Sequence, residues 1–169
     1  MLAHRLRQAR SAGFTLTELV VVMVVIAIIA AIAVPRMGND PVLVASQTDQ
    51  LAGDIRYVQA LAMTQGQKYV ISFPSSTSYE IRDSTGAVVR HPIDGSLSVT
   101  LGSGVTAALG SLTPVAGNAL GFDGRGIPYS VTAPATFNAA LTAQATITLS
   151  KSGTNQQITI THQTGRVTP

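Results

Sequence analysis

A run of 21 residues, Phe14 to Val34, contains a single charge, Glu18, and that charge stands near its start. As a helix the run is about 32 Å long at 1.5 Å per residue, enough to cross a hydrocarbon core of about 30 Å once. A carboxylate inside such a segment costs on the order of 2.5–3.5 kcal/mol at the centre and less near the end. It therefore marks a functional position whose partner has to be found. Thr15 and Glu18 also have the spacing of a capping box, threonine as N-cap and glutamate three residues on, and the helix dipole favours an acid there. Capping alone does not account for a helix start placed in lipid. A secretory signal peptide, with Ala31-Ile32-Ala33 as its small-residue cleavage site, fits composition and would give a periplasmic protein. It explains neither Glu18 nor the Gly13-Phe14 junction.

Charge follows the same division. The chain of 169 residues carries 11 Lys+Arg against 8 Asp+Glu, net +3. Arg5, Arg7 and Arg10 hold all of that excess, so a chain beginning at Phe14 is formally neutral. Basic residues before the span and Asp40, Asp49 and Asp54 after it place the N-terminus in the cytoplasm and the rest outside. The chain has no cysteine, so the part beyond the span holds itself together by its core alone.

Gly13-Phe14-Thr15-Leu16-Thr17-Glu18 and the apolar run up to Pro35-Arg36 resemble the type IV pilin-like prepilin family. The resemblance implies that a prepilin peptidase cuts between Gly13 and Phe14 and methylates the new amine of Phe14. It implies that Glu18 pairs with the N-terminal amine of a neighbouring subunit during assembly, and that Pro35 kinks the helix. The implied partners are the peptidase, other pilin or pseudopilin subunits, inner-membrane lipid and an inner-membrane assembly platform. The implied location is the bacterial inner membrane, single-pass with the head periplasmic, and then the filament. This string covers about 24 residues, so it speaks to assembly class more than to the head.

Beyond the run, four segments follow: a leader 1–13, a span 14–34, a continuation of the helix 35–66 and a head 67–169. Pro35 removes a helical donor and disfavours helix at Val34, and Met37-Gly38-Asn39 extends the weak point. Asp40-Pro41 reads as a restart, an N-cap acid with proline at the first helical position. Leu51, Ile55, Val58 and Ala62 then recur every three or four residues, an apolar stripe for packing on a sheet. Asp49, Asp54, Gln59 and Gln65 are assigned to the other faces, and Gly66 to the C-cap.

After Gly66 the pattern turns to strands: Tyr69, Ile71 and Phe73 alternate with polar neighbours, and Pro74-Ser75-Ser76 ends the run. Tyr79–Arg82, Ala87–Arg90, Leu97–Leu101, Leu120–Phe122, Ile127–Val131, Ile147–Leu149 and Ile158–Ile160 follow as further strands. Residues 102–118 read as a long loop with one short strand at most, and Ala133–Thr142 as a loop. The fold class is α+β: a long N-terminal helix, kinked near Pro35, laid on an antiparallel β-sheet head.

Four head segments carry a second, looser resemblance, to the H-type minor pseudopilins of type II secretion and to related minor type IV pilins. They are Asp54–Tyr57, Gly66–Val70, Phe122–Gly126 and Thr164–Val167. The absence of a C-terminal cysteine pair and of an acidic calcium loop tilts that resemblance towards a minor subunit.

No catalytic arrangement emerges. His4, His91 and His162 are isolated, no ligand set for zinc or calcium is spaced along the chain, and Asp83 and Asp94 sit in turn-forming sequence. No cofactor is expected and the chain is not read as an enzyme. A DNA-binding uptake pilin is the alternative, with Arg166 and Lys151 as candidate nucleic-acid contacts. A neutral mature chain lacks the basic stripe of a phosphate tracker, which places nucleic acid outside the expected partners.

Overall fold

The computed structural model describes residues 14–33, 40–102 and 104–169, and the chain divides into two compact units, 1–38 and 39–169. In the first unit, helix α1 runs Leu16–Ala33. Thr15 caps it: the Glu18 amide donates to Thr15 Oγ1 at 3.3 Å, and the Leu19 amide to the Thr15 carbonyl at 3.1 Å. The junction residue Gly13, the expected kink at Pro35 and the weak stretch Met37–Asn39 lie outside the described residues.

The second unit opens with helix α2, Asp40–Gln65, starting at the expected acid–proline pair. Gly66 ends it in the left-handed region, φ 65°, where a side chain would be strained. The Gln67 amide reaches back to the Ala62 carbonyl at 3.2 Å, the long bond of a Schellman cap. Val44, Leu51, Ile55, Val58 and Ala62 are fully buried along one face. Each of the larger ones contributes about 1.5–3 kcal/mol by leaving water.

That face packs on two antiparallel sheets rather than the single sheet expected. The larger contains β1 (Tyr69–Ser75), β2 (Ser78–Asp83), β3 (Val88–Val89), β4 (Val99–Thr100), β6 (Ala119–Phe122), β7 (Pro128–Thr132) and β8 (Thr136–Ala140). Its order is β3-β2-β1-β6-β7-β8, with β4 paired to β2. The smaller contains β5 (Thr106–Leu109), β9 (Ala145–Lys151), β10 (Thr154–Ile160) and β11 (Val167–Thr168), in the order β11-β10-β9-β5. Helix α2 touches β1 and β6 of one sheet and β9, β10 and β11 of the other. The Ala107 amide, donating to the Ser76 carbonyl at 2.6 Å, ties the sheets together.

Period-2 alternation survives wherever one face meets the helix. Ile71, Ile81, Leu120, Ile147, Leu149, Ile158 and Ile160 all point into the common core. The segment 133–142, expected as a loop, instead holds strand β8, whereas 102–118 holds β5, the one short strand its reading allowed. β8 sits at a sheet edge with no fully buried residue, so nothing demands strong apolar alternation there. Between β9 and β10, Ser152 and Gly153 both take positive φ, 49° and 85°, the geometry of a two-residue hairpin turn.

Candidate functional site

Two places concentrate what the sequence singles out: the N-terminal helix, and one end of the head where the scattered segments meet. In α1 the large apolar side chains from Leu16 to Ile29 are 47–80% exposed. They occur on every face, so the helix has no polar side to turn to water; such a helix belongs in a bilayer or among other helices. Glu18 is exposed on the first turn of this surface, and Phe14 stands ahead of it. Among the described residues no helix is long and apolar enough to cross a membrane. The described α1 has 18 residues, about 27 Å, against the 21-residue run of the sequence.

In the head, the four segments that carried the looser resemblance meet one another around the C-terminal half of α2, two of them at Gln59. Its Nε2 donates to the Gly126 carbonyl at 2.9 Å and to the Thr164 carbonyl at 3.0 Å. One turn earlier Arg56 Nη2 donates to the Val167 carbonyl at 3.1 Å. The contact is so close that glycine is needed on both sides. A Cβ on Gly165 would stand 2.5 Å from the Gly126 carbonyl, and one on Gly124 would stand 2.9 Å from the Gly66 backbone. Asp123 builds the turn between. Its Oδ1 accepts the Arg125 and Ile127 amides, each at 2.9 Å, and Oδ2 lies 3.2 Å from the Arg125 guanidinium. Burial pushes the Asp123 carboxyl up, but those two amides and Arg125 outweigh it and hold it below the usual carboxylate range.

Residues 8–34 match the family described as the prokaryotic N-terminal methylation motif. The described fold resembles a crystal structure of the type IV minor pilin FimU from Pseudomonas aeruginosa, TM-score 0.50 at 16% identity, over 73% of this chain and 90% of that one. It resembles equally the minor pseudopilin EpsH from the type 2 secretion system of Vibrio cholerae, TM-score 0.50 at 11% identity, over 72% and 90%. The chain thus carries an N-terminal methylation motif, and its head has a pilin-like fold. No curated protein matches this chain in sequence, and at these identities the two structures speak to its fold alone.

The pilin-like head also contains a buried polar cluster that the sequence reading did not foresee. Asp54, assigned there to an outer face, is 5% exposed. Its Oδ2 accepts the Tyr79 hydroxyl at 2.5 Å and its Oδ1 lies 3.0 Å from His91 Nε2. Asp54 follows Leu51 by three residues and precedes Val58 by four, so spacing alone puts it on the apolar stripe; its charge argued otherwise. His91 carried no local signal, since its partner lies 37 positions away. The other ring nitrogen stands 3.3 Å from the Asp94 carboxylate, outside hydrogen-bond geometry. A cleft of about 370 Å³ is lined by Ser72, Phe73, Glu80, Arg82 and Pro134 among others, and none of the three cluster residues lines it. Among the described residues no group of three or more His, Cys, Asp or Glu is placed to hold a metal ion.

The two candidate nucleic-acid contacts are not neighbours. Lys151 closes β9 beside the hairpin turn, whereas Arg166 precedes β11, which pairs with the far end of β10. The six residues of strand between those levels span about 20 Å. Lys151 Nζ lies 2.9 Å from Asp40 Oδ1 at the start of α2. Hydrogen bonding from Lys151, and then from Ser152, holds the Asp40 carboxyl below its ordinary value. Arg166 is exposed, and no described side chain engages its guanidinium.

Proposed function

We propose that this chain is a minor pilin or pseudopilin, a structural subunit of a type IV pilus or type II secretion pseudopilus rather than an enzyme. The observation that carries the reading is α1: apolar on every face, marked by one carboxylate, and contained in a methylation motif. A prepilin peptidase cuts between Gly13 and Phe14 and methylates Phe14. The subunit then waits in the inner membrane with its N-terminus cytoplasmic and its head periplasmic. On recruitment by an assembly platform, α1 exchanges lipid for the α1 helices of other subunits. Glu18 pairs with the N-terminal amine of a neighbour, which offsets the cost of burying both charges and fixes one axial register.

Mass spectrometry of the mature protein tests the processing step. The expected terminus is N-methylphenylalanine from Phe14. A terminus at Val34 would establish the signal-peptide reading and remove the filament role. Deletion of the gene, scored for enzyme secretion and for piliation, assigns the protein to one machine or the other.

A further inference from the structure

Helix α2 covers one face of the larger sheet, and the opposite face is built by the residues that alternate with the core. Val70, Ala119 and Val131 are buried there, with Tyr129 and Phe137 packed on them. Phe137 lies on Gly121, where a Cβ would stand 2.5 Å from its ring, and Lys68 Nζ sits 4.8 Å above that ring. Towards β2 nothing comparable fills the face. Its floor is Ser72, which pairs across strands with Ala119 on one side and Glu80 on the other. The loop between β7 and β8 bends over this end. The Ala133 amide donates to Asn118 Oδ1 at 2.8 Å, and Pro134 rests on the next turn, 3.2 Å from where a Cβ on Gly86 would stand. The space left beneath is the cleft of about 370 Å³, with Phe73, Pro74 and Pro134 as its apolar walls.

Its polar groups are unevenly used. Arg82 Nε and Nη2 lie 2.7 and 2.6 Å from Glu80 Oε1, and Nη1 donates to the Gly86 carbonyl. Ser72 Oγ donates to the same Oε1 at 3.1 Å. Three donors thus crowd one oxygen of a carboxylate whose side chain is 12% exposed, while no described donor reaches Oε2. At the rim the Ala133 amide fixes Asn118 by its Oδ1, and no described acceptor takes its Nδ2. The cleft therefore offers a free acceptor and a free donor. The charges of Glu80 and Arg82 cancel. A cation entering the cleft meets the guanidinium, and an anion meets the carboxylate with each Arg82 nitrogen already in use.

We propose that this cleft binds a neutral sugar ring. Its volume falls within the range of small-molecule sites, about 300–1,000 Å³, which are mostly apolar with a few placed polar groups. Hydroxyl groups both donate and accept, so one ring can serve Glu80 Oε2 and Asn118 Nδ2, the first bond strengthened by the carboxylate charge. The C–H faces of the ring are apolar and pack on Phe73, Pro74 and Pro134. Such a ring comes either as a free glycoside or as one residue of a polysaccharide. The proposal goes beyond the filament role and does not depend on it, since the lining residues all belong to one head.

The test uses the full-length chain in a detergent that carries no sugar. It is applied to an array of neutral, acidic and amino-sugar oligosaccharides, and then titrated calorimetrically with the methyl glycoside of the best neutral ring. Neutral glycans should bind, the single ring with a dissociation constant of about 1 mM. E80Q keeps the shape of the side chain and should weaken binding about tenfold or more. A133F fills the opening from an exposed position that makes no side-chain bond, and should abolish binding with thermal melts unchanged. Affinity that grows with chain length assigns the ring to a polymer, and equal affinity of glycoside and oligosaccharide assigns it to a free sugar. Absence of neutral-glycan binding, binding confined to charged glycans, or binding that either variant leaves intact overturns the proposal. Each of those results leaves the methylated Phe14 terminus, and with it the filament reading, untouched.

Discussion

Tyr79 gives its phenolic hydrogen to Asp54 across the interface between β2 and α2, at 2.5 Å, with both side chains out of water. A carboxylate in the core of a small head would be costly by itself. Here Asp54 has the hydroxyl on one oxygen and His91 on the other, and so fastens the 91–96 loop to the helix. The loop closes on itself through the His91 amide to the Ser96 carbonyl at 2.8 Å.

Replacing Tyr79 by Phe should cost about 1–3 kcal/mol at neutral pH, because a buried acceptor loses its donor. Burial first, then the Asp54 hydrogen bond and charge, raise the Tyr79 hydroxyl above the ordinary tyrosine range. A group raised on folding adds stability that is complete below the unfolded value, about 10, and fades as pH climbs beyond it. Denaturant melts between pH 8 and 11 should thus lose stability more steeply in the parent than in Y79F. Equal slopes would detach Tyr79 from alkaline stability.

Asp123 works in the opposite direction. Its carboxyl is depressed in the fold, so its contribution is present above the unfolded value of about 3.9 and disappears as pH falls below it. D123A should lose about 2 kcal/mol at pH 7 by orphaning two amides, and the gap to the parent should narrow towards pH 2–3.

At the junction, Q59A and G165A should behave as one unit. Q59A removes two bonds, about 1–2 kcal/mol. G165A forces a Cβ into a left-handed position, φ 66°, against the Gly126 carbonyl, and should cost more. Because both act on the same contact, the double variant should fall short of their sum; simple additivity in thermal melts would mean that Gln59 and Gly165 act separately.

A fragment beginning at Asp40 should be soluble, show mixed helix and strand by circular dichroism, and melt in a single transition. Its stripe is covered by its own two sheets, so it has no need of the N-terminal unit. An aggregated fragment would mean that part of this core belongs to a partner.

On the proposed processing, in which the peptidase would read the Gly13-Phe14 junction, Glu18→Ala should leave cleavage intact, while incorporation into filaments falls sharply. Normal incorporation would reduce Glu18 to the helix-start role seen with Thr15, whose hydroxyl accepts the Glu18 amide.

Periodicity announced α2 because Leu51, Ile55, Val58 and Ala62 all meet the same dry core, and it announced β1, β9 and β10 for the same reason. It failed at β8, where Thr136–Ala140 forms an edge whose residues remain at least partly in water. The division into two sheets left no mark either, since inward-facing residues look alike whichever sheet holds them. At Asp54 charge argues for an outer face and spacing for the stripe, and spacing prevails because Tyr79 and His91 satisfy the carboxylate. The place of Gly66 just past the stripe marks it as a C-cap, and Gly126 and Gly165 fall inside short segments with no periodicity of their own. That they and Gly124 also make room for a common contact depends on partners far off in sequence, Gly66 for Gly124 and Gln59 for both Gly126 and Gly165, which no local pattern encodes.

Because both sheets pack against α2, the helix is at once spine and wall. Tension entering at Asp40 along its axis cannot peel strands away one at a time. It must slide a whole buried face past two sheets while breaking the Asp40–Lys151 and Gln59 ties at opposite ends. Such a shear geometry yields abruptly and at high force, so a pulled head should stay whole until it fails as one piece.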